Sequence, residues 1–234
     1  MNRNLWVLAI CARLLLAIPA ASPAQPNSEE SHSIAAIRAR GGVVEINTSA
    51  PGSPAKTVYL INSHRITDAV LFHVAGLSEV RNLYIIHTKI TNAGLEHIAG
   101  LTQLRRLQVV GEQFSDEGLA HLAGLGGLEE LGISDTTVSN AGLRHLAALR
   151  GLRRLDLSGT GVSDGGLENL APLAELRTLG LERCKITGDG FAHLKELTRL
   201  EWLDCQRPAA TPAAYTTGPD RAGCRPDGLR SRVG

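Results

Sequence analysis

The chain has 234 residues, a formal net charge of +1 and only 3% aromatic residues. So small a net charge supplies no basic field to gather nucleic acid, and so few rings cannot build the stacking platforms of single-strand binders. Residues 1–24 differ in kind from the rest. Arg3 is a short positive region, an apolar segment over 5–17 is split by Arg13, and Ser22-Pro23-Ala24 offers small residues ahead of Gln25. This pattern predicts a secretory signal peptide over 1–24, because the apolar segment is too short and interrupted to span a membrane. Leu8-Ala9-Ile10-Cys11 has the outline of a lipoprotein box, but Ile10 is too bulky for the small position before the cysteine. No later stretch approaches the roughly 20 apolar residues of a membrane helix, so the mature chain is expected to carry no integral membrane segment.

After a polar lead-in, SIAAIRAR (33–40) predicts a short helix with Ile34 and Ile37 on one face. Gly41-Gly42 stops it. The β-branched run at 43–46 predicts a strand, SAPGSP (49–54) a loop, and 57–61 a second strand. A solenoid must cover its first apolar layer, so residues 25–65 are the expected N-terminal cap. VYLINSHRIT (58–67) matches LYIIHTKIT (83–91) apart from one extra residue, which places Val58, Leu60 and Ile66 with Leu83, Ile85 and Ile90, a bulge between.

From 66 to 207 a 24-residue unit recurs six times, beginning at Ile66, Ile90, Phe114, Val138, Val162 and Ile186. Self-similarity at this period is the mark of a solenoid. Segments such as Leu104/Leu107/Val109 and Leu128/Leu131/Ile133 end in two-residue alternation, hence a short strand with one face inward. Thr67, Thr91, Ser115, Ser139, Ser163 and Thr187 precede apolar runs and are expected helix N-caps. Leu95, Ile98 and Leu101 then close the back of the strand. Gly94, Gly118, Gly142, Gly166 and Gly190 recur in the first turn of each helix. Glycine weakens a helix, so five in register predict a close backbone approach to the neighbouring unit. Asp68, Asp116 and Asp164 sit where a carboxylate favours the helix dipole.

The pattern LxxLxLxxT followed by I-T/S-D/N-x-G-L-x-H-L-x-x-L resembles a leucine-rich repeat. It is similar to the 24-residue type of planctomycete-like bacteria, and to the cysteine-containing repeats of F-box substrate receptors. Residues 33–46 also resemble the lead-in to such bacterial arrays. The resemblance implies a right-handed α/β solenoid that binds proteins on a concave parallel sheet. The place usually held by Asn in this family is here Thr88, Glu112, Thr136, Thr160 and Cys184. Cys184 matches the cysteine variant, and Glu112 departs from the pattern. After Leu203 the period fails, and the Pro-, Gly-, Ala- and Arg-rich residues 208–234 are expected to be disordered. Three explanations stay open for the missing end cap: a cover improvised by the tail, a truncated or frame-shifted gene, or end-to-end pairing.

His73, His97, His121, His145 and His193 share one helix position with Asn169. Zinc needs ligands converging on one point, whereas this column is a line, so a structural role is expected and no metal. Cys184 and Cys205 are offset too far to bridge, while Cys205 with Cys224 is possible. No catalytic signature occurs, and no cofactor is implied. On the outward columns Arg106, Glu130 and Arg154 should meet as opposite charges across the ladder. Arg81, Arg105, Arg153 and Arg177 would be left to meet an acidic partner. The expected contact residues for a protein partner are Tyr84, Arg106, Gln108, Glu130, Arg154, Asp156 and Trp202. The reading is a secreted or periplasmic, non-enzymatic protein-binding module. Its alternatives are a ubiquitin-ligase substrate-recognition subunit, which needs an F-box helix bundle ahead of the array, a hydrolase, and a truncated fragment.

Overall fold

The computed structural model describes residues 28–47 and 55–205. The expected signal peptide over 1–24 and tail over 208–234 lie outside these residues. Helix α1 (Ser28–Ala39) is followed by strands β1 (Val43–Asn47) and β2 (Ala55–Ile61), and helix α2 (Asp68–Ala75) opens the repeat array. The array continues through β3 (Val80–Ile86), α3 (Asn92–Glu96), β4 (Arg106–Val110), α4 (Asp116–Ala120), β5 (Glu130–Gly132) and α5 (Asn140–Leu143). The last strands are β6 (Arg154–Asp156), β7 (Thr178–Gly180) and β8 (Trp202–Asp204), with 3-10 helices over Arg144–Ala148, Asp164–Leu170 and Asp189–Leu194.

All eight strands form one sheet in chain order. β1 pairs antiparallel with β2, and every later pair is parallel. Val58 pairs with Leu83 and Leu60 with Ile85, as the sequence comparison requires. The bulge lies earlier than expected, between Lys56 and Thr57. The extra residue of the comparison falls in the turn, where Asn62 takes a positive φ of 51°. Inward-facing Leu83, Leu107, Leu131, Leu155 and Leu179 are at most 1% exposed and stack as successive layers of one core.

Helix α1 starts five residues earlier than the periodicity indicates. The reason is Glu30, whose carboxylate lies 2.8 Å from the Lys56 ammonium and accepts from the backbone N–H and hydroxyl of Ser78. Both charged side chains are buried, at 9% and 3% exposed. Burial pushes the Glu30 carboxyl up, but the bonds from Lys56 and Ser78 outweigh it and hold it below its usual range. Ile34 and Ile37 enter the core as their spacing requires. The elements directly ahead of the array are thus a helix and two strands.

Two expectations on the convex side are corrected. The leucine offsets of three and six fit a 3-10 period better than an α-helical one. The α-helices accordingly shorten along the chain, and the units after α5 carry only 3-10 turns. Nor do the Ser/Thr hydroxyls act as N-caps. Only Ser139 accepts from its own helix, from the Ala141 N–H. Thr67, Thr91, Ser115 and Ser163 make no such bond. Instead the acidic or amide residue after each of them reaches the next unit. Asp68 accepts from the Thr91 N–H (2.7 Å) and hydroxyl (2.9 Å). Asn92 accepts from the Ser115 N–H and donates to its hydroxyl. Asp116 to Ser139, Asn140 to Ser163 and Asp164 to Thr187 repeat the pattern. The sixth unit has Gly188 there, and the ladder ends.

This ladder accounts for the glycine column. A Cβ on Gly118 would stand 2.6 Å from Asn92 Oδ1, and Gly94, Gly142, Gly166 and Gly190 would clash in the same way with Asp68, Asp116, Asn140 and Asp164. The turn position holds its expected role where it is Thr or Cys. Thr136 donates to Ile133 O at 2.8 Å, Thr160 to Leu157 O at 2.6 Å, and Cys184 Sγ to Leu157 O at 3.1 Å. Glu112 is exposed, and Gln113 binds the turn instead, donating to Thr88 O at 3.2 Å.

Candidate functional site

The outward side chains of the parallel strands form two columns on the concave face. In register, one runs Tyr84, Gln108, Gly132, Asp156, Gly180, Asp204, and beside it stand Asn82, Arg106, Glu130, Arg154, Thr178, Trp202. The structure therefore puts all seven sequence-derived contact residues on one face. They fall into an apolar end, a charged middle and an acidic end.

At the apolar end Tyr84 stacks on Tyr59, with ring centroids 5.0 Å apart and planes 8° from parallel. Tyr84, Ile86 and Val110 form a second hydrophobic cluster, separate from the core, with Tyr59 and Ile61 packed against it. Tyr84 is only 8% exposed, so it is less available than its outward position implies. Tyr59 and Ile61 were missed as members of this face, although the alignment of VYLI with LYII already puts Tyr59 beside Tyr84.

The charged middle is as expected. Arg106 donates to both Glu130 oxygens, at 2.6 and 2.8 Å, and Arg154 donates to Glu130 Oε2 at 3.4 Å. Burial pushes the Glu130 carboxyl up, but the Arg106 hydrogen bonds and the charges of Arg106 and Arg154 hold it below its usual range. The same Glu130 bonds raise the Arg106 pKa, with Tyr84 adding to the effect. The arginines expected to be free are not. Arg81 lies 3.5 Å from Glu79, Arg105 3.9 Å from Glu129, Arg153 3.7 Å from Glu129, and Arg177 2.9 Å from Glu201.

Toward the C-terminal rungs, side chains lie down over glycines. Gln108 covers Gly132, and Asp156 covers Gly180, where a Cβ would stand 2.7 Å from its Oδ1. Asp156 also accepts from the Ser158 N–H and hydroxyl. Glu182 stands near Asp156 and Asp204. Burial, and then the neighbouring Asp204 and Asp156, push its carboxyl above the usual range, against the opposing pull of Arg183. Arg183 itself is paired with Asp135 at 2.8 Å. Trp202 is half-buried on the last described strand.

Elsewhere the sequence-derived columns stay apart from this face. Asn169 donates to Gly166 O at 3.2 Å, the local backbone bond expected at its position. Among the described residues no group of three or more His, Cys, Asp or Glu is placed to hold a metal ion. His73 sits in a shallow cleft with Ser28, Glu29, His32, Ser33 and Phe72. Burial, with the charges of Arg40 and His32, pushes its pKa down. Cys184 is free and buried, and Cys205 is disulfide-bonded. No described helix is long and apolar enough to cross a membrane.

A family model described as a leucine-rich repeat matches residues 150–171. No curated protein matches the chain. Among solved structures, internalin C2 of Listeria monocytogenes is 21% identical, with 81% of this chain and 94% of that one covered at a TM-score of 0.53. A second internalin of that organism, inlF, is 18% identical at a TM-score of 0.41, over 58% of this chain. The chain spans 44% of the length of inlF. The internalin C2 match shows a shared fold. With the 24-residue period, the stacked leucine layers and the parallel sheet, the chain has the α/β solenoid fold of leucine-rich repeats.

Proposed function

We propose that this chain is a non-enzymatic module that recognises a protein partner on its concave sheet and acts in a secreted or periplasmic setting. One observation carries the reading: inward strand residues are buried in the leucine core, whereas the outward strand positions carry polar, charged and aromatic side chains that pair along the ladder and still reach solvent. Arg106, Gln108, Glu130, Arg154, Asp156 and Trp202 are half-exposed there. Six rungs at strand spacing give a face of ~25–30 Å, enough for one modest interface. Aromatic and arginine anchors near its centre are the usual carriers of binding energy. The leader-like composition of residues 1–24 and the resemblance to repeats of planctomycete-like bacteria support the bacterial envelope setting.

The test is affinity capture from envelope extract with the full chain as bait. Arg106→Glu and Trp202→Ala should each weaken capture of the same partner about tenfold or more, while the melting curve keeps its cooperative shape. Capture unchanged by both substitutions would sink this choice of face, and clear turnover in a broad hydrolase screen would sink the non-enzymatic reading.

A further inference from the structure

Opposite charges answer one another along most of the outward sheet, and the match fails at one end. Arg106, Glu130 and Arg154 bond across three rungs. At the strand entrance Glu129 lies near both Arg105 and Arg153, and Arg177 near Glu201. An acidic partner would have to displace a carboxylate from each of these arginines.

From β6 to β8 the balance reverses. The outward positions hold Asp156, Glu182 and Asp204, all half-exposed, with Arg154 as the one cation, and Arg154 is turned to Glu130 on the preceding rung. Arg183 stands close by, but its guanidinium is 2.8 Å from Asp135. Among the described residues no ion pair reaches Asp156, Glu182 or Asp204. Burial and the charges of Asp204 and Asp156 push the Glu182 carboxyl up, as like charges do when crowded.

The surroundings show what kind of cation fits. Asp156, Gly180 and Asp204 are successive members of one column, so the two aspartates stand two rungs, ~9.6 Å, apart. The half-exposed Trp202 ring is in the adjacent column, in register with Thr178. The carboxylates are spread along the sheet rather than gathered on a point, and no group of three or more described His, Cys, Asp or Glu is placed to hold a metal ion. Cations strung along a polypeptide suit such a spread, since alternate side chains of an extended segment lie ~6.7 Å apart. A guanidinium can meet a carboxylate with paired N–H bonds, and its flat face can lie on an indole ring.

We propose that the β6–β8 end of the concave face is the docking surface for a basic segment of the protein partner, with Arg or Lys side chains set on Asp156, Glu182 and Asp204 and against the Trp202 ring. This rests on the concave face being the binding face and gives the chemistry of what that face takes. The arginines at the strand entrance stay bonded within the chain.

Two fluorescein-labelled peptides of equal length test it by polarisation against the full chain, one with Arg at alternate positions and the other with Glu in the same places. The arginine peptide should bind about tenfold or more tightly than the glutamate peptide, and Glu182→Gln/Asp204→Asn should weaken it about tenfold. Trp202→Ala should weaken it severalfold. Glu117→Gln/Glu168→Gln removes two exposed carboxylates from the convex side and should leave binding unchanged. Equal binding of the two peptides, or an equal loss in the convex variant, overturns the proposal. A partner whose capture falls with Arg106→Glu but is indifferent to Glu182→Gln/Asp204→Asn also overturns it, and leaves the function reading standing. The expected peptide pattern with no partner captured would uphold this surface and count against the function reading alone.

Discussion

Charged side chains in this protein act in opposite directions according to what surrounds them. Glu30 and Glu130 have carboxyls lowered by bonded cations. Their contribution is present above the unfolded carboxylate pKa and is lost as pH falls through the folded value. Glu182 is the reverse case, raised by burial and by Asp204 and Asp156. Its contribution is present below the unfolded value of about 4.3 and is lost as pH rises through the folded one. Glu182→Gln should therefore leave stability at pH 4 nearly unchanged and raise it at pH 7. Because the side chain is half-exposed, solvent screening limits the gain to roughly 0.5–1 kcal/mol. Urea denaturation at the two pH values reads this directly, and equal stability change at both would show that the carboxylates do not repel one another. The Lys56–Glu30 pair is different in kind, because both partners are buried. Truncating either leaves an uncompensated charge, which is why α1 is tied to the sheet more firmly than its sparse apolar residues imply.

Each repeat is joined to the next by its leucine layer and by the Asp/Asn ladder that the glycine column makes room for. Alanine is normally the better helix residue by about 1 kcal/mol, so position decides the sign of a Gly→Ala change here. At Gly142 the new methyl would strike the Asp116 carboxylate that holds the Ser139 N–H. Gly142→Ala should cost about 1–3 kcal/mol. At Gly165 the methyl would sit 3.8 Å from Asn140 Nδ2, an ordinary contact. Gly165→Ala should be neutral or stabilise by up to about 1 kcal/mol. Chemical denaturation of both variants checks the contrast, and two equal effects would remove the ladder as the reason for the column. The sequence made much of this element legible, because leucine spacing and strand register follow from one period. Gly94, Gly118, Gly142, Gly166 and Gly190 were read as marking a close approach, yet what they approach was not readable. The ladder joins side chains 23 residues apart, and the N-cap signature of the same Ser and Thr residues offered a local explanation that the structure does not use. Tyr84 shows the same limit on the concave face. Its column was legible, and its burial was not, since outward position alone does not say what covers a side chain.

Across the whole molecule the units are not equally strong. In a solenoid each unit contacts only its neighbours, so stability is a sum of unit and interface terms and can fail from one end. The N-terminal rungs have strands of five to seven residues, an antiparallel hairpin and the buried Lys56–Glu30 pair. The C-terminal rungs have three-residue strands and 3-10 turns. Their last layer is less well sealed, since Leu200 is 8% exposed and Ile186, Phe191, Leu203 and Cys205 are only partly buried. Strand hydrogen bonds thus thin out in the same direction as core burial. Native-state hydrogen exchange should show protection falling from β2–β4 toward β8, with amides of residues 178–204 opening by a sub-global route. The same gradient should appear in large-to-small changes. Leu131→Ala, in a fully packed layer, should cost about 2–5 kcal/mol, and Leu203→Ala less than about 2 kcal/mol because its site is already partly open to solvent. Equal protection along the array, with equal costs at Leu131 and Leu203, would mean that residues beyond Cys205 seal the end as well as a repeat would. The gradient also bears on binding. Trp202 stands on the three-residue strand β8, expected to be the least protected, while Arg106 stands on a five-residue strand. A partner that engages both ends should raise protection most at β8, where there is most to gain. Measuring exchange with and without a captured partner would separate a contact at Trp202 from one confined to Arg106 and Glu130.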